Sequence, residues 1–139
     1  SVQALGIPRD PLAAMRPLDA MVPYLNRHAA QTGEDVIVAP TKWYSAGQFD
    51  VALAGTRPVT CFCQDARGYG VLAPLSTMVG KNFLIPVPLK HASRLEPLLA
   101  ASFRHLTRLD DLVIPQGGTT TEPFAMFFGE ELSAHFIVP

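Results

Sequence analysis

The sequence predicts an α+β fold: a mainly antiparallel sheet of about five to seven strands with two main helices packed on one face. Three features lead there. The stretch over residues 49–89 reads as successive short strands at 49–55, 58–65, 70–75 and 82–89. Within it Phe49, Val51 and Leu53 alternate with Asp50, Ala52 and Ala54, and Val59, Cys61 and Cys63 alternate with Thr60, Phe62 and Gln64. A period of two sorts each set onto one face of a pleated sheet. A segment of helical period lies on either side of this block, and each needs a sheet to cover. Most connections between the strands are too short for parallel crossovers.

The elements follow in order. Residues 1–9 read as an N-terminal arm of a single domain spanning 1–139. Asp10-Pro11 starts a helix, with Asp as N-cap and Pro at the first position, and Arg16-Pro17 interrupts it. A longer helix is predicted over 18–31. Leu18, Met21, Val22, Leu25 and Ala29 share its apolar face, Pro23 either kinks it or opens a shorter helix, and Gly33 stops it. The apolar run 35–40 is a central strand. Residues 41–48, with Lys42, Trp43 and Tyr44, form an edge strand or loop, and 66–70 form a hairpin-type turn. The alternating prolines of Ile85-Pro86-Val87-Pro88 lose donors on one side, which predicts an edge strand or a polyproline-like exit.

The second helix is predicted over 93–109. Ser93 and Glu96 have capping-box spacing, and Leu95, Leu98, Leu99, Ser102, Phe103, Leu106 and Leu109 form its buried face. Asp110-Asp111 ends it. A short strand at 112–115, a loop at 116–121, and a closing hairpin of 123–128 with 132–138, turning at Gly129-Glu130-Glu131, complete the domain.

Composition limits the function classes. A chain of 139 residues buries a core without staples, and 48% hydrophobic content argues against global disorder. A formal net charge of -1 does not suit a general polyanion binder. No apolar run approaches the ~18 residues of a membrane-spanning helix. Ser1-Val2-Gln3-Ala4 lacks the basic and apolar regions of a secretory signal. Eight arginines against three lysines, with abundant Ala, Leu and Pro, suggest a bacterial coding sequence.

Cys61-Phe62-Cys63 is the most chemically suggestive motif. In a regular strand the two side chains point the same way with Cα atoms about 6.5–7 Å apart, at or beyond the limit for an unstrained disulfide. The pair therefore reads as thiols in a reducing, cytoplasmic setting. Two thiolates can supply half a zinc site. The remaining ligands would come from His28, His91, His105, His135 or a carboxylate, and none has a standard spacing. Both cysteines read as small core residues on the Val59 face, so neither metal nor cofactor is assigned. A cysteine nucleophile at Cys61 or Cys63, with His105 or His135 as base, is the enzymatic alternative: a small hydrolase or transferase.

Arg94, Arg104 and Arg108, with Lys90, His91 and His105, make a basic face on the predicted helix 93–109. That face suits a phosphate, an acidic partner or, as an alternative function, nucleic acid. It lacks the aromatic set of an RNA-binding sheet. Trp43 and Tyr44 offer an aromatic contact at a strand edge, although Trp43 also reads as a cap on the core. Residues 116–121 can expose backbone amides to an anion but lack the phosphate-loop lysine and a following helix. The sequence thus predicts a non-enzymatic domain that binds a partner protein or small ligand, homo-oligomeric, with Trp43, Tyr44, Arg94, Arg104 and Arg108 as contacts.

Overall fold

A computed structural model describes residues 20–42, 58–63, 74–117 and 120–139. The predicted arm, the Asp10-Pro11 helix start, the contact pair Trp43 and Tyr44, the strand over 49–55 and most of that over 70–75 fall outside the described residues. Within them, Met21–Arg27 forms α1 and Ala29–Thr32 forms α2. Ile37–Val38 is β1, Phe83–Pro88 is β2, Ala92–Ser102 is α3, Phe103–Gly117 is β3 and Thr120–Leu132 is β4. The architecture is α+β, with these three helices and one mixed four-stranded sheet of order β1-β2-β4-β3. β1 runs parallel to β2, and β2 and β3 each run antiparallel to β4.

The helices do not share one face of the sheet. Met21, Tyr24 and Leu25 of α1 pack with Val38, Leu84, Phe124, Met126 and Phe128. Ala92, Leu95 and Leu99 of α3 pack with Phe83, Ile85, Val87 and Phe127. Alternate residues of β2 and of 124–128 in β4 therefore serve opposite cores, and both stretches are apolar because both their faces are covered. Phe83–Pro88 is buried at every position.

In α1, Pro23 lies in the first turn, where its missing N–H has no intrahelical partner to lose. Val22 is 42% exposed and Tyr24 takes the core position instead. Gly33, at φ 86°, stops α2 in the left-handed region. β1 ends the four-stranded order instead of lying at its centre: it pairs with β2 on one side, and an isolated parallel bridge to Val59 lies on the other. The segment 58–63 otherwise departs from the predicted regular strand.

β2 corrects and explains the proline prediction. It is an inner strand, paired with β4 along its whole length, but β1 reaches only Phe83 and Leu84. The Leu84 carbonyl accepts the Ala39 N–H, so even-numbered backbone groups face β1. Pro86 and Pro88 thus direct their missing donors to that side, past the end of β1.

The predicted helix 93–109 is cut short. α3 ends at Ser102 and the chain enters β3 at Phe103 with no loop. Ser93 lies inside α3, which follows directly from a 3-10 turn over Leu89–His91, and no side chain caps it. Ser102 is fully buried at the junction; its hydroxyl donates to the Leu98 carbonyl at 2.9 Å and accepts the Ile137 N–H at 2.8 Å. β3 and β4 form one long hairpin whose last pair is Gly117 with Thr120, so the predicted turn at Gly129-Glu130-Glu131 is instead strand interior. Gly129 has a steric role there. A Cβ on it would lie 2.7 Å from the Phe103 ring. That ring is hemmed in by Phe83 at 5.5 Å and Phe62 at 5.7 Å between centroids.

Gly129→Ala should therefore destabilise the fold by about 1–3 kcal/mol, the usual cost of overpacking a filled core. Chemical denaturation of the two proteins measures this directly.

Candidate functional site

The residues proposed from sequence are distributed over both ends of the sheet. Arg94 is exposed on α3, whereas Arg104 and Arg108 are exposed on β3. They do not form one helical face, because the chain is extended from Phe103 onward. Arg104 pairs with Glu131 at 2.9 Å across the hairpin, and Arg108 with Asp111 at 3.4 Å. The Arg108 guanidinium also lies 5.8 Å from the Phe127 ring centroid. His105 is exposed on β3 opposite Glu130, and His135 is exposed in a turn where its N–H donates to the Ser133 hydroxyl.

Cys61 and Cys63 are joined in a disulfide, which corrects the expectation of two thiols. The chain bends at Cys63 and is not a regular strand, so the Cα atoms approach to 5.3 Å. The cytoplasmic expectation loses the support the thiols lent it. No helix among the described residues is long and apolar enough to cross a membrane, which leaves β-barrels unaddressed. The cysteines follow a parallel bridge to β1, while His105 sits on β3 at the other end of the sheet order. Among the described residues, no three His, Cys, Asp or Glu side chains cluster as metal ligands.

The disulfide contributes little as a staple. Closing a loop of about three residues removes only about 1.6 kcal/mol of unfolded-state entropy, against about 4.7 kcal/mol for a loop of 100. The segment is held by other means. Val38 N–H donates to the Pro58 carbonyl, Thr60 N–H to the Val38 carbonyl and Phe62 N–H to the Pro40 carbonyl. Phe62 itself is fully buried.

A polar junction that the sequence reading missed lies where α1 meets β3. Leu109 opposes Met126 and Leu112 opposes Phe124, so Asp110 and Asp111 together oppose Ala125 in a β-bulge. The buried Tyr24 hydroxyl donates to the Asp110 carbonyl at 2.5 Å. The His28 ring stacks on Tyr24 at 4.4 Å between centroids and places Nε2 3.8 Å from the Asp110 carboxylate. Arg27 lies 5.4 Å from the Tyr24 ring centroid. Burial first, and the Asp110 carboxylate second, hold the Tyr24 phenol far above the ordinary tyrosine range. The signal in the sequence was the helical spacing of Tyr24, Arg27 and His28. The bulge that completes the junction has no comparable signature.

The β3 edge is the remaining feature. β3 is 15 residues long and has β4 as its one neighbour among the described residues. Arg104, His105, Thr107 and Arg108 are all exposed and Leu106 is half-buried. Since successive strand residues point to opposite faces, this stretch is open on both faces. With the geometry described, comparison with known proteins adds no relative: no protein-family model matches the chain, and neither a curated protein nor a solved structure is similar to it.

Tyr24→Phe should cost about 1 kcal/mol, the worth of one hydrogen bond. It should also change the alkaline limb of stability. Tyr24 keeps its proton when folded and loses it near pH ~10 when unfolded, so this contribution is complete below that pH and falls as pH rises above it. Denaturant midpoints measured from neutral to alkaline pH should decline less steeply in the Phe variant.

Proposed function

We propose that this chain is a binding domain, not an enzyme, and that it associates with a second copy of itself through β3. The observation that supports the reading is the stretch 104–108, open on both faces and flanked by one strand among the described residues. A strand in that state offers backbone donors and acceptors to an added strand.

Its side chains favour a like partner. The first half carries Arg104, His105 and Arg108, and the bulge carries Asp110 and Asp111. Antiparallel mating of two copies sets the basic half of one against the acidic half of the other. With Leu106 opposite Leu109 of the second copy, Arg104 falls opposite Asp111 and His105 opposite Asp110. The internal pairs of Arg104 and Arg108 are exposed and contribute little to stability, so exchanging them for partners across an interface is inexpensive. This complementarity favours a second copy over nucleic acid, which would meet Asp110 and Asp111 as repulsive charges.

Sedimentation velocity over a concentration series tests the proposal. The chain should populate a dimer. Arg104→Asp should weaken it by about tenfold, equivalent to ~1.4 kcal/mol, by placing like charges opposite each other. Arg104→Asp combined with Asp111→Arg should restore much of the loss. A chain that stays monomeric throughout, or a dimer indifferent to both changes, would overturn this reading.

A further inference from the structure

We infer that Cys61 and Cys63 form a thiol–disulfide exchange centre whose co-reactant is a dithiol, with Cys63 as the sulfur attacked and Cys61 as the sulfur released. The inference is independent of association through β3.

The placement of the pair supports it. The bond joins residues two apart and links no separate elements, so the fold does not use it to hold distant parts together. Phe62, between the cysteines, is fully buried with its ring 5.7 Å from Phe103 and 6.3 Å from Phe136. Its N–H is bonded to Pro40 at 2.7 Å. The backbone carrying both sulfurs is therefore anchored without the S–S bond. The cysteines differ in access: Cys61 is buried and Cys63 is half-buried at a bend. An incoming thiolate reaches the more accessible sulfur first, and access is one of the determinants of exchange.

The chemistry balances as an ordinary exchange. A thiolate of the external dithiol attacks Cys63 Sγ; the Cys61–Cys63 bond breaks and Cys61 Sγ leaves as a thiolate, taking up a proton. The second external thiol, as its thiolate, attacks the external sulfur of the mixed disulfide. An external disulfide forms and Cys63 leaves as a thiolate that is protonated. In sum, the dithiol loses two electrons and two protons, and the protein becomes a dithiol. In reverse, Cys61 remains beside Cys63, because Phe62 and its hydrogen bonds hold the segment, so reclosure is intramolecular.

The test uses the whole chain in mixtures of reduced and oxidised dithiothreitol, quenched with an alkylating reagent and read by mass spectrometry, with far-UV circular dichroism on the same samples. The expected result is reversible reduction at full secondary structure. In single variants, Cys63 of Cys61→Ser should form a mixed disulfide with oxidised glutathione at least about tenfold faster than Cys61 of Cys63→Ser. Reduction that occurs only together with unfolding would overturn the inference and make the bond a structural one. Equal rates for the two single variants would overturn the assigned roles. If neither variant folds, the wild-type titration decides alone.

Discussion

The contact of the Phe103 ring with Gly129 is the constraint on which the rest of the fold depends. Phe103 is the first residue after α3 and the first of β3, so its position decides where helix becomes strand. The ring sits where a Cβ on residue 129 would be. It touches Phe83 of β2 and Phe62 of the segment beyond β1, and so ties both ends of the sheet to one point. Ser102, immediately before it, uses both its hydroxyl and its backbone carbonyl to fasten the C-terminal segment, through Ile137 and Ser133. A turn without a loop is possible here because these contacts replace the hydrogen bonds that the end of a helix lacks.

The second fixed point is the bulge at Asp110 and Asp111. Without it, Leu109 and Leu112 would face opposite sides of the sheet. With it, both join the α1 core together with Ile114. Tyr24 answers the exposed carbonyl of the bulge, so the helix that covers this face is positioned by the same irregularity that makes the face apolar. The two cores thus have different logics: α3 is held by aromatic packing at a strand start, and α1 by a polar bond to a strand interruption.

What the sequence made legible, and what it hid, follows from these two points. The helix stop at Gly33, the apolar strand at 35–40 and the strand at 82–89 were readable because each is specified locally. The stretch from Phe103 through Leu106 to Leu109 was not. Its three-residue spacing imitates a helix, but past Ser102 it comes from an edge strand open at Leu106 and a bulge beyond Leu109, and pairing with β4 decides the conformation. The prolines of β2 were read correctly as a blocked side and wrongly as a sheet edge, because nothing local reveals that β4 covers the other side. The disulfide was excluded on the geometry of a regular strand, and the bend at Cys63 removes that premise. Arg104 and Arg108 changed from helix to strand for the same reason as the leucines around them, which altered their neighbours from each other to Glu131 and Asp111.

The two sides of the sheet are treated unequally, and that asymmetry bears on the proposed association. On the β1 side, the parallel bridge to Val59 covers β1 and Pro86 and Pro88 withhold donors where β1 ends. Each is a known device for keeping an edge from recruiting another strand. On the β3 side, the stretch before the bulge has neither proline nor glycine, and its basic Arg104 and Arg108 are followed by the acidic Asp110 and Asp111 of the bulge. Mixed charge arranged basic first and acidic second repels a parallel stranger less well than a run of lysines would. In the proposed association it is matched by an antiparallel copy. Under the proposed association, the rigid residues on one side exclude neighbours and the self-complementary charge on the other selects one.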